Sequence, residues 1–142
     1  MAKVIDADFL EETEKAEEPK KENKTGRQPF HVWMVGGEQY KLILNAEATI
    51  MVEKALGGSL FETISSMPPL STMLSIVQAA MQRYHHGVGK ERVKKLYDMW
   101  IEEDEDNNLI DFYKKIIIPV MAASGFFPKD QANQFLEDLE SV

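Results

Sequence analysis

The stretch "FHVWMVGGEQYKLILNAEATIMVEKALGG", residues 30–58, changes rhythm in its middle. Up to Leu44 it is rich in aromatic and β-branched residues in two runs, "FHVWMV" and "YKLIL", separated by "GGEQ". Two glycines that tolerate positive φ between two such runs predict a β-hairpin over about residues 31–44. From Asn45 the apolar spacing becomes helical. Asn45 is a natural N-cap, and Glu47 in the first turn suits the positive end of the helix dipole. Gly57-Gly58 supplies a left-handed stop. A lone hairpin is marginal in water, so this one has to pack on helices or pair with another chain.

Outward from this junction the rest reads as helix. Ser59-Leu60-Phe61-Glu62 is a capping-box sequence opening a short helix to about Ser66, and Pro68-Pro69 stops it. Ser71 is expected to cap a helix running to about His86, with Met73, Val77, Ala80, Met81 and Tyr84 on one face. Lys90 to about Glu103 carries the stripe Val93, Leu96, Tyr97, Trp100 and Ile101. After the acidic turn, Leu109, Phe112, Tyr113, Ile116, Ile117 and Val120 repeat it. Pro119 lies inside that helix, has no N–H for the carbonyl of Lys115, and predicts a kink. Ala132, Phe135, Leu136 and Leu139 suggest a short terminal helix after Pro128. The expected fold class is mainly α, a small helical bundle with one N-terminal β-hairpin. Leu96, Trp100, Phe112 and Ile116 are the expected heart of its core.

Residues 1–28 read as a charged N-terminal tail, and 29–142 as one α-helical domain. From Glu11 to Arg27, Ala16 is the only ordinary apolar side chain, too little apolar surface to offset the entropy of ordering. "VIDADFL", residues 4–10, is mildly apolar and can dock on a partner or on the domain itself. The first 21 residues hold no apolar h-region, so no secretory signal is expected. No apolar run approaches the roughly 20 residues that span a bilayer. With 0 Cys in 142 residues, disulfides, thiolate metal sites and cysteine nucleophiles are excluded.

The net charge of −8 disfavours generic nucleic-acid binding. One basic cluster stands against it: Arg83, His85, His86, Lys90, Arg92, Lys94 and Lys95. His85-His86 makes a poor metal pair, because adjacent helical residues diverge by about 100° and His31 is far away in the chain. Asp104, Asp106 and Asn108 hold the first, third and fifth positions of a calcium loop. Leu109 and Lys115 stand where that loop needs Gly and Glu. "HGVGKER" comes nearest to a phosphate loop but follows no strand. There is no nucleophile elbow. The sequence thus names no catalytic, cofactor-binding or metal residue, and no partner-binding residue. Its 8 Met are scattered, and core packing is expected to absorb most of them.

The order of elements resembles a known family. "VWMVGGEQYKLILN" leads into "AEATIMVEKALGG", then "SLFETI", then a helical remainder. This is similar to the tail assembly chaperones of long-tailed bacteriophages, in the branch with relatives in gene transfer agents and prophages. Glu53-Lys54-Ala55-Leu56-Gly57 and Ser59-Leu60 carry the likeness, which covers about residues 32–127. The resemblance implies a non-enzymatic protein without cofactors, working in the host cytoplasm and absent from the finished virion. Its implied partners are the tape measure protein, which it keeps soluble, and tail tube subunits. Self-association through a free hairpin edge at Phe30–Met34 fits the same picture. The family often makes a longer product by frameshifting, and codons for Phe127-Pro128-Lys129 can hold a slippery run. Two other readings stay open: a virion part such as a head-tail connector or tail completion protein, and a small helical nucleic-acid-binding regulator.

Overall fold

The computed structural model of the chain describes residues 28–128 and Gln131. The expected tail over 1–28, apart from Gln28, and the expected terminal helix with Ala132, Phe135, Leu136 and Leu139 lie outside the described residues.

The hairpin forms as β1 (His31–Val35) and β2 (Glu38–Leu42), antiparallel, with Trp33 opposite Tyr40 and Val35 opposite Glu38. Its loop is Gly36-Gly37 alone, with φ of 60° and 80°. Positive φ at both central residues is the type I′ geometry whose twist matches that of the strands. Glu38 and Gln39, expected in the loop, therefore belong to β2. Period-2 alternation puts Trp33, Val35, Tyr40 and Leu42 on the buried face.

Five helical stretches follow among the described residues. α1 (Ala46–Leu56) starts at Asn45, whose side chain accepts the N–H of Ala48, and ends on Gly57 at φ 78°. α2 (Leu60–Ile64) starts at Ser59, whose Oγ accepts the N–H of Glu62. A carboxylate joins this hydroxyl cap from outside: Glu53 of α1 accepts the N–H of Leu60 at 2.9 Å. The motif "EKALGGSL" is thus a mechanical joint in which one helix caps the next.

α3 (Leu70–Met81) departs from expectation at both ends. Its cap position is Pro69, with no side-chain cap bond, and Ser71 lies inside the first turn. It stops at Met81, short of His86; beyond it the chain turns through local bonds, Gln82 N–H to the Ala79 carbonyl and His85 N–H to the Met81 carbonyl. Gln82 accepts the N–H of Gly87 and donates to the carbonyl of Val88. His85 Nε2 accepts the N–H of Lys41 in β2 at 2.8 Å. Tyr84, expected on the inner face, is exposed. α3 is buried on most of its circumference, at Met73, Leu74, Ile76, Val77, Ala79, Ala80 and Met81. It packs against α1, β2, α4 and the last helical rod. A helix covered on several sides needs no single stripe.

α4 (Lys90–Glu103) buries Val93, Leu96, Tyr97 and Trp100 as expected. The acidic turn caps itself. Asp104 accepts the N–H of Asp106, and Asn108 accepts that of Asp111. The last rod comprises α5 (Leu109–Phe112), a π-helical turn (Tyr113–Ile117) and α6 (Ile118–Ala123). The wide turn, in which Ile118 N–H reaches Tyr113, sits immediately before Pro119, where a kink is expected. A π-bulge is one of the recognised ways a helix accommodates such a break in its ladder.

The core joins both halves. Leu96, Trp100, Phe112 and Ile116 are all buried, and the Trp100 and Phe112 rings lie 5.5 Å apart. Trp33 of the hairpin meets Phe112 edge-on at 5.5 Å. The methionines divide in a way that composition did not foretell. Met73, Met81 and Met121 are buried, whereas Met34, Met51, Met67 and Met99 are exposed.

Candidate functional site

α1 and the C-terminal half of α3 leave a groove between them. Its floor and sides are Ile43, Ala48, Met51, Val52, Ala55 and Ala79, and it encloses about 720 Å³ open to solvent. α1 has more apolar residues than it can bury. Ala48 and Val52 face inward, while Ile50 and Met51 stay 51% and 58% exposed. Met51 therefore presents an unbranched, adaptable thioether along the groove.

One end of the groove is cationic. The turn after α3 and the first residue of α4 bring the cations Arg83 and Lys90 to it, with the His86 ring beside them and Glu47 the single acidic group in the lining. Among the described residues neither Arg83 nor Lys90 has a carboxylate in ion-pair contact; the pairs are Lys94–Glu91 and Lys115–Asp111. The N-termini of α1 and α4 also lie here, through Asn45 and Gly89. Each contributes partial positive charge from its first turn, opposed by the carbonyl end of α3 at Ala79 and Gln82. The wall is braced by Gln82, whose amide reaches Gln78, Gly87 and Val88 at 2.9–3.1 Å.

The basic cluster read from the sequence is thereby split. His86 faces the groove, while His85 turns away to Lys41 and lies 5.2 Å from the Tyr40 ring. Arg92 reaches the Tyr40 hydroxyl at 3.4 Å, and Lys94 pairs with Glu91. His31 sits elsewhere, donating from Nε2 to the carbonyl of Lys115 at 2.8 Å. Burial lowers its pKa below the ordinary 6.5, against the upward pull of that bond. The three histidines thus occupy three separate sites. Asp104 and Asn108, read as calcium-loop positions, spend their side-chain oxygens on the backbone of their own turn.

The hairpin is asymmetric. The outer side of β2 is tied to the end of α3, through Lys41 N–H to His85 and Ile43 N–H to the Ala80 carbonyl at 3.0 Å. β1 has no third strand beside it among the described residues, and Met34 is exposed there. No helix among the described residues is long and apolar enough to cross a membrane.

The arrangement is suited to holding an apolar, acidic-ended segment. The sequence pointed to its cations but not to its floor. Met51, Gln78 and Ala79 come together only through the packing of α1 on α3. The one local signal was the surplus of apolar residues on α1. Comparison with protein-family models, with curated proteins and with solved structures finds no match.

Proposed function

We propose that this chain is a non-enzymatic tail assembly chaperone of the long-tailed phage type. In this reading the α1/α3 groove holds amphipathic helical segments of the tape measure protein and keeps them soluble until tail tube subunits are recruited. The observation that carries the reading is the groove itself, an apolar channel with half-exposed Met51 and a cationic mouth. Helix-in-groove recognition needs an apolar trough of this kind. The resemblance through Glu53–Gly57 and Ser59-Leu60 supplies the partner. A surface carrying net charge −8 helps keep a dense coat of such proteins soluble. The protein then acts in the host cytoplasm and is missing from purified virions.

Co-expression with a cognate tape measure protein tests the proposal. The expected outcome is a soluble complex with several copies of this chain. Met51→Glu should abolish the complex while leaving the domain folded by circular dichroism, since Met51 lies outside the core. A tape measure protein that stays insoluble with the wild-type chain would count against the chaperone role. A complex indifferent to Met51→Glu would move the binding site off the groove.

A further inference from the structure

The described chain begins beside the groove. Phe30 packs edge-on against Tyr84 at 5.4 Å, and Tyr84 is the neighbour of groove-lining Arg83, whose guanidinium lies 5.5 Å from its ring. The first described residues thus lie near the cationic mouth. The sequence before them has two parts. Val4–Leu10, "VIDADFL", sets Val4, Ile5, Phe9 and Leu10 around Asp6 and Asp8, and Glu11–Arg27 is a hydrophilic spacer of 17 residues. Residues 1–18 carry seven carboxylates against two lysines.

Reach and charge both match. A coil of 17 residues spans roughly 23 Å on average and about 56–61 Å when fully drawn out. α1, the length of the groove, is about 16 Å. A tethered segment meets its site at an effective concentration in the millimolar range. A seven-residue segment of weak intrinsic affinity can thus fill the groove in cis. Its acids are opposite in sign to Arg83 and Lys90, which have no carboxylate partner among the described residues.

We propose that residues 4–10 occupy the α1/α3 groove of their own chain as a placeholder that a partner segment must displace. This rests on the groove being the partner site. It gives the charged N-terminus a task, which is to cover Met51 and its apolar neighbours until a longer amphipathic helix competes.

The absence of cysteine from the 142 residues permits a clean test on the whole chain. A nitroxide on Ala2→Cys should broaden the amide signals of Met51, Gln78 and Gln82 and spare those of Glu105 and Ile110. The effect should be independent of protein concentration, and absent when labelled chain without ¹⁵N is mixed with unlabelled ¹⁵N chain. Arg83→Glu or Phe9→Ser should reduce it to background. Broadening spread evenly over the surface, centred on β1, or present in the mixed sample would overturn the inference. A synthetic helical peptide with leucines on one face and glutamates at one end separates the two readings. It should shift the groove amides, and bind about ten-fold tighter to the Ile5→Ser/Phe9→Ser variant if the segment fills the groove nine-tenths of the time. Peptide binding without nitroxide broadening leaves the groove reading standing and removes the placeholder. No response of the groove amides to either probe removes both.

Discussion

Pro119 withholds an N–H from the carbonyl of Lys115, and His31 supplies one from the other end of the domain, 84 residues earlier. The vacancy was legible in the sequence, because a proline inside a helical stripe always leaves it. Its occupant was not, because no local rule links residues so far apart. His31→Ala should therefore cost about 1 kcal/mol, read from the urea midpoint. The pH dependence has a definite sign. Burial lowers the folded pKa of His31, so the unfolded chain binds the proton more readily. This contribution is complete above the unfolded value near 6.5 and is lost as pH falls from there through the folded pKa. Between pH 7.5 and 5.5 the wild type should lose stability more steeply than His31→Ala; parallel profiles would contradict this. The two tryptophans should answer mutation differently. Trp100→Ala should cost about 3–5 kcal/mol by lost transfer energy and a cavity. Trp33 is buried with an indole N–H that meets no acceptor among the described residues. Trp33→Phe removes that unmet donor along with some bulk, and should cost no more than about 1.5 kcal/mol. Thermal melts of both variants check the contrast.

Among the elements, those whose ends are set by their own residues were legible. Asn45, Gly57 and Ser59 do what their types and spacing require, since each cap acts within one turn. α3 differs from the sequence reading at both ends. Pro69 brings the chain in extended, at ψ 160°, with no need of the Ser71 hydroxyl. At the far end, Gln82 closes a local turn on Gly87 and Val88, and His85 turns its ring to Lys41 of β2. The cap that Glu53 offers to Leu60 also escaped the sequence, although both residues belong to the "EKALGGSL" joint. Glu53→Ala should destabilise by about 1 kcal/mol, in the range of lost N-caps. Glu53→Gln, which keeps an acceptor oxygen, should lose less. Equal melting temperatures for wild type and Glu53→Ala would mean that water serves Leu60 equally well.

At the scale of the whole molecule, the hairpin-on-helices architecture followed from one change of period at Asn45. The groove did not follow, because its lining comes from β2, α1, α3 and the start of α4, which meet only once the core has formed. Its cationic mouth sits on a chain of net charge −8, so it acts at short range. Raising salt from 0.1 to 1 M shortens the screening length from about 10 to 3 Å. Binding of an acidic-ended helical probe should weaken accordingly by isothermal titration, and Arg83→Glu should flatten that dependence. The bond between His31 and Lys115 also has a consequence in time. The hairpin is among the first parts of the domain to leave the ribosome, yet its anchor is made 84 residues later. At 5–20 residues per second that interval is roughly 4–17 s. Throughout it a two-stranded ribbon that is marginal alone has neither Phe112 to bury Trp33 nor Lys115 to hold His31. The nascent chain thus passes through a window of seconds in which its aromatic strand is open to protease, to aggregation or to a holding factor, and synthesis of the Pro119 rod closes that window.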